Sequence, residues 1–239
     1  MHRNYTNYEL QMIFLEKSVK IRLMSSLFET LNHKPLADQM RPNDLNEVVG
    51  QNHLLGEKGP LGRMIQNQNL SSFILWGPPG CGKTTIARIL ADKTNLTFVQ
   101  LSAVFSGVAD LRKVFDEAKK RRMAGKGTLL FVDEIHRFNR AQQDGFLPFV
   151  EDGTVILVGA TTENPSFELN SALLSRCKVF VLNRLNDTAL ADLTQRAEKI
   201  MQKPLPLDEV GKEYLRSLAD GDGRYFINLL EAVWQYAKP

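Results

Sequence analysis

The clearest chemistry in this chain lies in Gly77-Pro78-Pro79-Gly80-Cys81-Gly82-Lys83-Thr84, which meets the spacing of glycine, four free positions, glycine, lysine, then serine or threonine. Glycines let successive backbone N–H groups turn toward one point, and a helix opening at Lys83 adds the partial positive charge of its first turn. That concave row of donors, running on through Thr85, suits phosphate oxygens. Lys83 is placed to reach the β and γ phosphates of a nucleoside triphosphate, and the Thr84 hydroxyl to ligate magnesium. A glycine-rich turn that binds nothing is the competing reading, and the apolar strand expected just before it, Phe73 to Trp76, weighs against it. Cys81 occupies a free position of the loop. Oxidation there could block nucleotide, but a small residue that simply fits is the plainer account.

Fifty residues after Lys83, the run Leu129-Leu130-Phe131-Val132-Asp133-Glu134 ends in two carboxylates. Ligands of parallel sheets bind beyond the carboxyl ends of the strands. Asp133 can therefore hold magnesium through water, while Glu134 points at the γ-phosphate and activates the attacking water. The letters Asp133-Glu134-Ile135-His136 also match the second motif of superfamily 2 helicases. Those enzymes need a second nucleotide-binding half and a glutamine-arginine-rich motif, and residues 186–239 supply neither. Thr161-Thr162 closes the apolar run Val155 to Ala160. A hydroxyl there either orients the lytic water or only caps the turn before Pro165. Arg176 and Arg224 are not explained by any core pattern. A guanidinium keeps its charge and suits a transferring phosphoryl group, although each arginine taken singly reads as a solvated surface residue.

These groups need a frame. Between Pro35 and Leu185 short apolar runs alternate with helix-period stretches, the pattern of an α/β domain with a parallel sheet and crossover helices. Five strands are expected: Phe73 to Trp76, Thr97 to Leu101, Leu129 to Asp133, Val155 to Ala160 and Val179 to Leu182. Ile86, Ile89 and Leu90, and then Leu111, Val114, Phe115 and Ala118, mark two crossover helices. From 186 to 239 three amphipathic helices follow without a strand, broken at Lys203 to Pro206 and at Asp220 to Gly223, which reads as a small helical lid domain. Residues 1–34 follow no sustained period and read as an extension, with Met24 a candidate natural start, or as a real N-terminal helix. No repeat of 20 to 50 residues is evident.

Composition narrows the classes further. With 239 residues, 43% hydrophobic and 24% charged, the chain is neither disordered nor low in complexity. Its apolar runs of four or five residues are far shorter than a membrane span. Two cysteines make no disulfide framework and the start lacks a secretory core, so the cytoplasm is the expected compartment. A net charge of +3 identifies no partner. Local clustering is more suggestive: Lys113, Lys119, Lys120, Arg121, Arg122 and Lys126 form one basic group, and His136, Arg137 and Arg140 another. Each is either a nucleic-acid contact or a solvated face.

Taken in order, the phosphate loop, the Asp-Glu strand, the Thr-Thr strand end, Ser175-Arg176-Cys177 and Gly223-Arg224 resemble an AAA+ ATPase of the clamp-loader-like group. The segments Pro35 to Pro42, Val48 to Leu55, Ile74 to Gly80, Phe131 to Asn139 and Gly159 to Asn170 resemble the replication-associated recombination protein A family more closely, and the Glu163 to Arg176 run separates them from RuvB and the clamp-loader subunits. The resemblance runs from about Pro35 to Tyr236. It implies that Arg41, Pro42, Val48, Val49, Gly50 and Gln51 frame the adenine, that Thr162 is sensor 1 and Arg224 sensor 2, and that Arg176 acts on the neighbouring subunit's ATP. It implies ATP with Mg2+, hydrolysis stimulated by DNA and dependent on homo-oligomer formation, action at forks, ends or single-stranded gaps, and a nucleoid-associated location. Single-strand DNA-binding protein is an implied partner.

Because the family carries a further C-terminal assembly region, a chain stopping at Pro239 is expected to be a fragment. Two activities stay open: remodelling of DNA, or ATP-gated recruitment and loading of partners with hydrolysis as the reset. A small-molecule kinase is disfavoured, because Asp133-Glu134 is an ATPase pair and no acceptor pocket is evident.

Overall fold

Alternation of side chains along each strand decides how this sheet is buried. In the computed structural model, which describes residues 34–236, Phe73 and Leu75 face one side of the sheet while Ile74 faces the other. Likewise Leu129 and Phe131 oppose Leu130 and Val132. Successive residues of a strand point to opposite faces, so an apolar residue at every position requires helices on both sides. The strands are β1 (Phe73–Trp76), β2 (Thr97–Ser102), β3 (Thr128–Asp133), β4 (Ile156–Thr161) and β5 (Lys178–Val181), all parallel in the order β2-β3-β4-β1-β5. The fold is the expected α/β P-loop type, with β4 and β5 displaced by about one residue from the apolar runs. Pairing, not hydropathy, sets these ends: Lys178 N–H donates to the Ser72 carbonyl and Leu182 N–H to that of Trp76.

Twelve α-helices accompany the strands among the described residues: α1 (Leu36–Gln39), α2 (Asn52–Leu55), α3 (Pro60–Gln66), α4 (Lys83–Lys93), α5 (Val108–Met123), α6 (Arg140–Asp144), α7 (Leu147–Glu151), α8 (Pro165–Glu168), α9 (Ser171–Leu174), α10 (Asp187–Met201), α11 (Glu209–Ala219) and α12 (Gly223–Tyr236). Helix α4 buries Ile86, Ala87 and Leu90 on the face carrying Phe73 and Phe131. On the opposite face α5 buries Leu111, Val114, Phe115 and Ala118 with Ile74 and Leu130. Side-chain caps mark several starts: Asn170, Asn186 and Asp208 each accept a backbone N–H of the first turn of α9, α10 and α11.

A third core joins α10, α11 and α12 through Leu190, Leu193, Ala197, Phe226, Leu230 and Trp234. Leu36 and Met40 of the α1 region belong to this core and not to the sheet, and Leu36 N–H donates to Glu231 Oε1 at 3.1 Å. Sequence order had put residues from 35 onward with the α/β unit. Packing puts α1 against α12 instead, because Leu36 and Met40 are buried in the core that the three lid helices share. The reading of residues 1–33 as an extension, and of Met24 as a start, lies outside the described residues.

Candidate nucleotide site

Beyond the carboxyl end of β1 the chain must reverse within a few residues to enter α4, and this sharp turn shapes the site. Gly77 N–H donates to the Thr161 carbonyl at 3.1 Å, prolonging the β1–β4 pairing by one residue. Gly80 and Gly82 then take φ values of +68° and +97°, where a side chain would be strained. Gly80 has a second reason to lack a side chain, since a Cβ there would fall 1.8 Å from Asp222 Oδ1 at the head of α12. Asp222 Oδ1 in turn accepts from Tyr225 N–H at 2.9 Å, so the loop abuts the capped end of that helix. Among the described residues the backbone N–H groups of Gly80, Cys81, Gly82, Lys83, Thr84 and Thr85 meet no oxygen acceptor. Six adjacent donors left open around a helix N-terminus form an anion cradle. The Lys83 ammonium is buried and folds back on the loop, donating to the carbonyls of Gly77 and Pro78, each at 2.8 Å.

A cavity of about 550 Å³ opens over this loop. Pro79, Gly80, Cys81, Gly82, Lys83, Thr84 and Thr85 form its floor, and Asp133, Glu134 and Thr162 bring the ends of β3 and β4 to it. Arg41, Pro42, Val48 and Val49 make one wall, and Arg224 reaches it from the first turn of α12. Gly77 and Pro78 are not in the lining, and meet the site through the carbonyls that hold Lys83. Gly50 and Gln51 are not in the lining either. Gly50, at φ +75°, packs on Leu185 and Ala189. Gln51 is fully buried, its Nε2 donating to the Asn183 carbonyl at 2.8 Å and its Oε1 accepting from Asn183 N–H at 3.1 Å. Both therefore support the wall from behind.

Arg176 is remote from this cavity. It precedes β5, at the sheet end opposite the loop, so the four residues of β1, about 13 Å of strand, intervene. There it pairs with Glu151 of α7 and donates to the Ala172 carbonyl at 2.7 Å. Arg41 donates to Asp38 at 2.6 Å, and that hydrogen bond holds the Asp38 carboxyl below its ordinary range. Sequence reasoning missed Asn228, which lines the cavity one turn after Arg224. The i, i+4 spacing was the available signal. It also grouped His136 with exposed basic residues. Ile135 is fully buried and anchors a short 3-10 turn, Ile135–Arg137, which swings His136 inward, so that only Arg137 and Arg140 stay exposed. In the α5 cluster Arg121 pairs with Glu117, Arg122 meets Asp152 and Thr154, and Lys119 lies 5.0 Å over the Phe149 ring, whereas Lys113, Lys120 and Lys126 are exposed.

Both cysteines are buried. Burial pushes the Cys81 thiol up, and Cys81 Sγ donates to the Pro78 carbonyl at 3.0 Å. The same cause pushes Cys177 up to about 12. Thiolate is the reactive form, so both should be inert near neutrality. Iodoacetamide at pH 8 is expected to leave them unlabelled by mass spectrometry over a time that fully labels denatured protein. Rapid native labelling of Cys81 would revive a redox role for the loop.

Comparison with known proteins agrees with this geometry. Residues 73–185 match the family model described as ATPase family associated with various cellular activities (AAA). The chain is 48% identical over 204 residues to a Haemophilus influenzae protein named replication-associated recombination protein A, covering 83% of this chain and 46% of that one. It is 49% identical over 208 residues to a Dictyostelium discoideum protein named ATPase WRNIP1, covering 85% of this chain and 24% of that one. The chain thus spans half or less of the length of these relatives. Among solved structures, the Thermotoga maritima RuvB Holliday junction branch migration motor matches with a TM-score of 0.66 and 27% identity, over 80% of this chain and 64% of that one. The loop, the carboxylate pair and the parallel sheet thus lie in a segment that matches the AAA family model, in a chain similar over most of its length to proteins named replication-associated recombination protein A and ATPase WRNIP1.

Proposed function

We propose that this chain binds ATP with magnesium and hydrolyses it, serving a protein that acts on DNA during replication-fork maintenance, recombination and repair. One observation carries the reading: six open backbone donors, a buried lysine, two strand-end carboxylates, Thr162 and Arg224 converge on a single cavity. In this reading the 80–85 amides and Lys83 hold the phosphates, and the wall of Arg41, Pro42, Val48 and Val49 faces the base. Glu134 takes the proton of the attacking water, Thr162 orients that water, and Arg224 contacts the phosphates from the helical domain. Among the described residues no three His, Cys, Asp or Glu side chains gather as a metal cluster. That fits a magnesium ion held by Thr84 and, through water, Asp133, with phosphate and water as the other ligands. Its contribution when bound is to neutralise charge on the phosphate oxygens.

The same reading divides the chain into an α/β unit to residue 185, a helical lid from 186, and α1 moving with the lid. Arg176 lies across the sheet from its own cavity, and the resemblance to AAA+ ATPases assigns it to the ATP of a second copy, which makes hydrolysis dependent on assembly. The names of the relatives, with exposed Lys113, Lys120, Lys126, Arg137 and Arg140, support contact with DNA. Among the described residues no helix is long and apolar enough to cross a membrane, and a cytoplasmic, nucleoid-associated site of action follows from the DNA substrate. Phosphate release is expected to rise more than linearly with protein concentration and to increase with DNA ends. DNA affinity should fall with salt by a log-log slope of roughly 0.9 per phosphate contacted. No release at any concentration defeats the ATPase reading, and a flat salt response defeats the DNA contact.

A further inference from the structure

Glu134, at φ +52°, sits in the left-handed region, which is uncommon for a residue with a side chain and puts its carboxylate beside the inward-turned His136. His136 Nδ1 lies 3.3 Å from Glu134 Oε2 and 2.9 Å from Thr161 Oγ1. The Thr161 hydroxyl accepts from Glu163 N–H at 3.0 Å and can donate to the Glu163 carbonyl at 3.2 Å. A carboxylate only accepts, so a bare Nδ1 lone pair would oppose Glu134. The assignment that suits Nδ1, the carboxylate and the hydroxyl together puts the ring proton on Nδ1, shared between Thr161 Oγ1 and Glu134 Oε2, with the hydroxyl hydrogen directed to Glu163. The His136 side chain is 7% exposed against 32% for Glu134. The ring is therefore held by its surroundings while the carboxylate still opens on the cavity.

We propose that His136 is a positioning residue for the general base: it fixes one carboxylate oxygen of Glu134 and leaves the other to receive the proton of the attacking water. Thr161, on the adjoining strand, anchors the ring. The inference rests on Glu134 being the base. It assigns the two neighbouring threonines separate tasks, Thr162 facing the cavity and Thr161 holding the histidine behind it. A carboxylate without this tether samples rotamers that face away from the water, which lowers turnover without weakening ATP binding.

The test is steady-state ATP hydrolysis and equilibrium ATP binding for His136→Phe, His136→Asn and Thr161→Val, each alone and with Glu134→Gln. His136→Phe is expected to lower kcat about tenfold, less than the ~10² to 10⁴ that loss of the base costs, with KM and ATP binding unchanged. His136→Asn, which can donate from nearly the same position, recovers most of that loss, and Thr161→Val falls in the same direction as His136→Phe. In the Glu134→Gln background none of the three slows turnover further, because the tether has nothing left to orient. An unchanged or raised kcat, an effect confined to KM, or full additivity with Glu134→Gln would overturn the inference. Should His136→Phe fail to fold, His136→Asn and Thr161→Val decide the matter by the same criteria. A parent chain that releases no phosphate, or a Glu134→Gln variant as fast as the parent, defeats the ATPase reading itself. Slow Glu134→Gln with unaffected His136 and Thr161 variants defeats only the tether.

Discussion

Two variants that are each nearly inactive are expected to restore hydrolysis when mixed. Arg176→Ala alone should lose about 10³ to 10⁵ in turnover, the range for removing an arginine finger, while still binding ATP. The expected loss is large because a guanidinium in that role meets charge that develops only as the phosphoryl group transfers, so no ground-state contact compensates for it. Binding survives because Arg176 lies at the far end of the sheet from its own cavity, held there by Glu151 and the Ala172 carbonyl. A chain carrying Arg176→Ala keeps its own Asp133, Glu134 and phosphate loop. A chain carrying Glu134→Gln keeps its arginine. Where the two meet, the intact arginine of one completes the intact cavity of the other, and phosphate release returns. Mixtures no faster than either variant at any ratio or concentration would place Arg176 outside the reaction.

The second large effect belongs to Glu134→Gln alone. The amide keeps the shape and hydrogen-bonding reach of the side chain but cannot take a proton from water near neutral pH. Turnover is expected to fall by about 10² or more, on the scale of a lost general base. ATP affinity should be unchanged, since the six open amides and Lys83 are untouched. Phosphate release measured beside equilibrium ATP binding separates the two quantities. A variant that hydrolyses ATP nearly as fast as the parent would move the proton acceptor elsewhere, and Asp133, one residue back at the end of β3, would be the first alternative to examine.

Some of this was legible in the residues because its causes are local. The phosphate loop is a run of glycines forced by a tight turn, and the two carboxylates follow an apolar run that could only be a doubly covered strand. The three lid helices were visible because an amphipathic stripe repeats within a single helix. What escaped notice depends on distant partners. Gln51 and Asn183 are 132 residues apart and meet through backbone groups that carry no sequence signature. Leu36 and Met40 look like any apolar pair near a domain start, and only the distant core of α10 to α12 decides where they pack. His136 read as basic because its letters stand beside arginines. Its burial is decided by Ile135 anchoring the turn, and by Thr161 arriving from β4.

The pair of hydrogen bonds between Gln51 and Asn183 has a mechanical consequence. It ties the segment just after Val48 and Val49 to the point where the polypeptide leaves the sheet, and two residues later Leu185 rests on Gly50. Any swing of the helical trio against the sheet is therefore expected to turn about the few residues around 183–185. Leu36 and Met40 pack with that trio whereas Val48 packs with the sheet, so the cavity wall is shared between the two cores. Gln51→Ala is therefore expected to loosen the hold between sheet and helical trio without altering any residue that lines the cavity.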